Sequence, residues 1–249
     1  MTEYKRAIPF HMKIADVVIR IEPMYDYVKE YCQEYITEEK AGFTVRTELV
    51  DIAFERERSL KAVERDGSVS MEFSDAYLET LSVYRKIAEQ IPMFNTVLFH
   101  GSVIAVDGLG YLFTAKSGTG KSTHTRLWRE YFGKRAVMVN DDKPLLKITE
   151  QRVVAYGTPW NGKHRLSANL SVPLKAICVL TRDQNNHIEE IEAEEVYWML
   201  LQQTYRPADK ESMVQTLKLL DEMKKKTRFY RLGCNMNPES AKVSFEGME

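Results

Sequence analysis

Three stretches of this chain place side chains where they can do chemistry together. The first is Ala115-Lys116-Ser117-Gly118-Thr119-Gly120-Lys121-Ser122, followed by Thr123. Apart from Ala115 in place of a first glycine, it fits the spacing G-x-x-x-x-G-K-[ST] of a phosphate-cradling loop. The physics asks for each part. Gly118 and Gly120 let the backbone curl until successive N–H groups face one anion. A helix opening at Lys121 adds its positive dipole end. The Lys121 ammonium reaches terminal phosphates, and the Ser122 hydroxyl suits a magnesium ion. Ala115 fits only if its backbone φ is negative.

The second stretch, Asp141-Asp142, ends an apolar run about twenty residues past that loop. Strand ends in α/β sheets face the ligand crevice. Carboxylates there offer magnesium hard oxygen, or accept a proton from an attacking hydroxyl. Adjacent strand residues face opposite ways, so both enter one site only if the chain bends there. His100, before Gly101, lies fifteen residues ahead of Ala115. His124 falls on the first turn of the helix, facing either nucleotide or solvent. The third stretch is residues 157–169, GTPWNGKHRLSAN. Lys163 or Arg165 would meet charge developing on a transferred phosphoryl, and Trp160 would stack on a base or exclude water.

These stretches need a scaffold of strand, loop and helix. Strands are expected at Val97–Phe99, Val103–Val106 and Tyr111–Thr114, then a helix over Lys121–Phe132 and a short strand at Val137–Val139. A hairpin is expected from Leu145–Thr149 and Arg152–Tyr156, a strand at Lys175–Thr181, helices near 193–203 and 210–225, and a strand at Arg228–Leu232. The result is an α/β domain with a mixed sheet over 91–249. Residues 1–90 read as a small α+β region without a catalytic cluster. There Met12–Ile21 reads as one strand, Phe43–Phe54 as a second and Val69–Phe73 as a third. A helix-like segment follows Pro23, and Ser74 caps a helix over Asp75–Gln90.

Composition narrows the function classes. The 35 basic and 36 acidic residues leave a formal charge of −1, which supports neither a nucleic-acid nor a membrane-surface partner. Three scattered cysteines give neither a disulfide framework nor a zinc site. No apolar leader is evident and no run is long enough for a membrane span, so a cytoplasmic protein is expected.

The string HGSVIAVDGLGYLFTAKSGTGKS, from His100, with NDD after it, resembles the bacterial HPr kinase/phosphorylase family and, more distantly, the phosphoenolpyruvate carboxykinases. The resemblance is strong over roughly 45 residues. It implies a phosphoenolpyruvate carboxykinase-like fold, with ATP or another nucleoside triphosphate and Mg²⁺ held by Ser117–Thr123. It implies that His100 lines the site. It also implies that one aspartate is the proton acceptor, Asp141 being favoured, and that the other, Asp142, joins Ser122 at the metal. The acceptor expected is a hydroxyl, a serine on a peptide or protein. Related proteins form rings, which leaves a homo-oligomer open. The signature that follows the aspartates in HPr kinases is replaced here by residues 157–169. A nucleotide hydrolase and a non-catalytic nucleotide sensor remain alternatives, though no residue stands out to orient an attacking water.

Overall fold

The computed structural model describes residues 6–66, 73–116, 118–162 and 164–249. The chain divides into two units, Met1–Ala88 and Glu89–Glu249.

In the first unit, strands β1 (Phe10–Ile14), β2 (Val17–Glu22) and β3 (Phe43–Arg46) form a three-stranded sheet. Helices α1 (Tyr27–Tyr31), α2 (Leu49–Asp66) and α3 (Asp75–Gln90) complete it. Two sequence readings are overturned here. Met12–Ile21 is no single strand: Ala15 and Asp16 take φ of 49° and 59°, and the chain folds back as a hairpin. Two successive left-handed residues suit the twist of a tight hairpin, but Ala-Asp carries none of the glycine that advertises it. Phe43–Phe54 is likewise a four-residue strand that gives way to α2. Most of the strand expected at Val69–Phe73 lies outside the described residues. The helix over Asp75–Gln90 forms as expected, with the Ser74 hydroxyl accepting from the Tyr77 N–H at 3.2 Å. The buried Glu79 carboxylate accepts from the N–H groups of Met24 (2.6 Å) and Tyr25 (2.9 Å) and from the Thr47 hydroxyl. It satisfies the corner after β2 from a position on α3.

The second unit is built on a nine-stranded mixed sheet. Its strands are β4 (Thr96–Leu98), β5 (Ser102–Val106), β6 (Leu109–Thr114), β7 (Ala136–Asn140), β8 (Leu145–Ile148), β9 (Val153–Tyr156), β10 (Ser171–Arg182), β11 (His187–Ile191) and β12 (Arg228–Cys234). The path runs β4-β8-β9-β10-β6-β5-β7, with β12 on β10 and β11 on β12. The twelve-residue β10 organises it. Residues Ser171–Pro173 pair antiparallel with β9, residues Ala176–Arg182 pair parallel with β12, and β6 runs parallel along the strand.

Alternation along the strands feeds two cores. Leu112, Ile177 and Val179 join Leu200 of α5 (Ala193–Gln203) and Leu219 and Leu220 of α6 (Lys210–Lys226). On the other face Phe113, Ala176, Cys178 and Leu180 join Leu127 and Trp128 of α4 (Lys121–Phe132) and Met248 of α7 (Glu239–Met248). The expected mixed α/β class holds. Among the described residues no helix is long and apolar enough to cross a membrane.

Candidate active site

Strand β6 ends at Thr114, buried to the last residue, and the chain enters the loop. Gly118 and Gly120 take φ of 77° and 124°, conformations that a side chain strains, and nothing crowds either position. Ala115 has no positive φ. It is buried, with its methyl in the Trp128 core, so the missing first glycine costs the loop no strain. Helix α4 starts at Lys121, with Gly120 as its N-cap. The Lys121 ammonium folds back toward the Ala115 carbonyl at 3.4 Å. Burial lowers its pKa, while Asp142 and then Asp141 pull it back up. Both aspartates therefore act on the loop lysine. Ser117 lies outside the described residues; Gly118, Thr119, Gly120, Ser122 and Thr123 lie on the loop and first helical turn.

The bend that two facing carboxylates require is present, and Asn140 makes it. This fully buried residue ends β7. Its side-chain oxygen accepts from the N–H groups of Asp142 (2.9 Å) and Lys143 (2.7 Å), an Asx-type turn. Its amide group donates to Thr158 O (3.1 Å), Thr158 Oγ1 (3.0 Å) and Trp160 O (3.3 Å). One side chain thus ties the aspartate turn to the 157–169 segment.

The two carboxylates receive different company. Asp141, 5% exposed, accepts the Ser102 hydroxyl at 3.1 Å and the Thr125 hydroxyl at 3.5 Å. Burial pushes its carboxyl above the usual range, against the pull of the Ser102 and Ser122 hydroxyls and the His164 charge. For Asp142 burial works the same way but loses. His100 Nε2 stands 3.4 Å from Oδ1, Lys143 lies 3.9 Å from Oδ2, and with Lys121 they hold this carboxyl below the usual range. Sequence reasoning pairs Ser122 with Asp142 at a metal; the Ser122 hydroxyl also lowers the Asp141 pKa.

His100 is held from three sides. Its N–H donates to Gln203 O (2.7 Å), its carbonyl accepts the Thr114 hydroxyl (3.2 Å), and the next N–H, of Gly101, donates to Asp142 O (3.1 Å). His124 faces neither nucleotide nor solvent. It is 2% exposed between Phe113, Trp128 and α7, and burial drives its pKa down to about 3.

The third stretch is closer to the aspartates than to open solvent at only some of its residues. Trp160 is 2% exposed, so its indole is buried and offers no open stacking face. Gly162 turns with φ of 73°, and a Cβ there would sit 3.0 Å from that of Asp142. Arg165 is exposed in a left-handed conformation, φ 50°, and Lys163 lies outside the described residues. Asn140, Ser102 and Lys143 escape sequence reasoning as site residues. Ser102 and Asn140 stand within the strings HGS and NDD, where their neighbours draw the attention.

Among the described residues no group of three or more His, Cys, Asp or Glu side chains converges to hold a metal. No family model matches the chain, and no curated protein matches it. Among solved structures it is similar to the HPr(Ser) kinase/phosphatase from Coxiella burnetii, at 11% identity over 60% of this chain and 94% of that one, with a TM-score of 0.35. A likeness of that size carries no chemical argument, so function rests on the site's own residues.

Proposed function

We propose that this chain is an ATP-dependent phosphotransferase of the HPr kinase type, with the corresponding phosphoenolpyruvate carboxykinase-like fold. One observation carries the reading: three separate segments bring Lys121, Ser122, both aspartates and His100 around a single glycine loop. No packing need explains two ionisable carboxylates, a partly exposed histidine and a partly buried lysine converging there, whereas a transferring phosphoryl does.

The residues fit the groups they would hold. The amides of Gly118–Ser122 and the α4 dipole receive the polyphosphate, and Lys121 neutralises its terminal oxygens. The Ser122 hydroxyl, which lowers the Asp141 pKa, and the Asp141 carboxylate are hard-oxygen groups that would hold magnesium. Magnesium held there would supply positive charge to offset that on a transferring phosphoryl. Asp142 is then the proton acceptor. Its low pKa keeps it ionised at neutral pH, and His100 and Lys143 fix its orientation. An acceptor hydroxyl forms the new O–P bond as the β–γ bridging bond breaks and ADP leaves, and Asp142 takes the hydroxyl proton. These roles exchange the ones that the family resemblance favours for the two aspartates.

The acceptor is read as a serine or similar hydroxyl on a peptide or protein. The sensor reading gains nothing from Ala115, whose methyl packs without strain. ATP turnover with and without an acceptor pool tests the proposal. Lys121→Ala should lower turnover at least about a hundredfold. Asp142→Asn should abolish phosphoryl transfer yet leave Mg-ATP bound, and Asp141→Asn should raise the magnesium required. Full turnover in Lys121→Ala defeats the assignment.

A further inference from the structure

One side chain outside the loop reaches it from a neighbouring strand. Strand β10 runs parallel to β6 with Val179 opposite Thr114, the last residue of β6. There β6 turns into the loop, while β10 continues for three residues to Arg182, held on its other side by β12. Arg182 follows Cys178 and Leu180 on the face that packs against α4. Strand geometry thus delivers a cation over the start of that helix. The Arg182 Nη2 donates to Gly118 O at 2.6 Å, and its Nε lies 3.5 Å from Thr119 O.

We propose that Arg182 is a positioning residue that latches the phosphate loop in its binding conformation. The proposal rests on the loop being the nucleotide site. The carbonyl and the N–H of one peptide unit point in opposite directions. Tying down the Gly118 and Thr119 carbonyls therefore fixes where the N–H groups of Thr119 and Gly120 point. These peptide units flank the two positive-φ glycines, the part of the loop with most freedom to lose on binding. The guanidinium is exposed and its contacts are with the loop backbone, so the latch orders the loop and adds little to the core. A planar fork spans two acceptors; a lysine ammonium does not.

The test compares wild-type full chain with Arg182→Ala and Arg182→Lys. Calorimetry with Mg-ADP and Mg-ATP should show Arg182→Ala weakening both by about tenfold, the scale of one charge-assisted hydrogen bond. The melting temperature should stay put, and Arg182→Lys should recover little. In parallel, without nucleotide, amide exchange over Gly118–Lys121 should quicken in both variants. Weakened ATP with unchanged ADP would make Arg182 a terminal-phosphoryl contact and overturn the latch. Unchanged affinity together with unchanged exchange would also overturn it. If wild type binds neither nucleotide, the kinase reading fails, and the exchange comparison still decides the latch.

Discussion

Asn140 sets the site's geometry more than either aspartate does. It carries two acceptor and three donor contacts in a position with no solvent to replace them. Removing it orphans two buried carbonyls, of Thr158 and Trp160, at about 1–3 kcal/mol apiece. Asn140→Ala should therefore destabilise the second unit by roughly 2–3 kcal/mol and cost turnover through misplaced carboxylates. All three tryptophans, Trp128, Trp160 and Trp198, lie in that unit, so urea unfolding followed by their fluorescence reads it alone. A variant as stable as wild type would sink the prediction. His124 makes a prediction about pH. Trp128 donates to His124 Nε2 at 3.1 Å, so a proton there would set donor against donor. The folded pKa of about 3 lies below the ordinary 6.5, so acidification protonates the unfolded chain first. Stability from this group is complete above 6.5 and falls as pH drops towards 3. By pH 5 the loss is about 2 kcal/mol. His124→Gln should remove that part of the difference between unfolding at pH 7.5 and pH 5; an unchanged difference counts against it.

At the scale of elements, two glycines serve opposite needs. A Cβ on Gly157 would lie 1.9 Å from Ala168 O and 2.6 Å from Val139 O, where the end of β9 crosses backbone on either side. Neither obstacle is a side chain that can swing away. Gly157→Ala should cost about 3 kcal/mol or more, seen as a large fall in melting temperature. Gly118 has open space around it and only its φ of 77° to defend. Gly118→Ala should cost about 1–2 kcal/mol of local strain, leave melting within a few degrees, and show its effect as weaker Mg-ATP binding. Equal melting temperatures for the two variants would contradict the contrast. Segment 157–169 thus mixes a structural glycine with site-facing residues, although its sequence reads as one functional loop. The exposed ladders Arg228–Glu190 and Arg231–Glu189, which join β12 to β11, contribute little by comparison.

At the scale of the molecule, every element of the candidate site belongs to residues 89–249, which hold two hydrophobic clusters of their own. Residues 89–249 expressed alone should bind Mg-ATP with the affinity of the full chain, within about threefold, by calorimetry. Loss of binding would show that the first unit supplies part of the nucleotide site.

Local chemistry made the loop, α4, the aspartate pair and the helices at 193–203 and 210–226 legible in the sequence. Glycine spacing, helical periodicity and a Lys-Ser pair each act over a few residues. The short strand β11 was not legible, because its HIEEI is mostly exposed and pairs only with distant β12. Nor was the Ala15-Asp16 hairpin, whose turn lacks glycine. Only the tertiary structure decided which neighbours each aspartate keeps, that His124 is core, that Trp160 is buried, and that Arg182 reaches the loop carbonyls. Those outcomes depend on pairings between strands 52 to 65 residues apart in sequence, such as β6 with β10 and β10 with β12. Such pairings are set by which faces bury together, and a run of residues does not contain its partner.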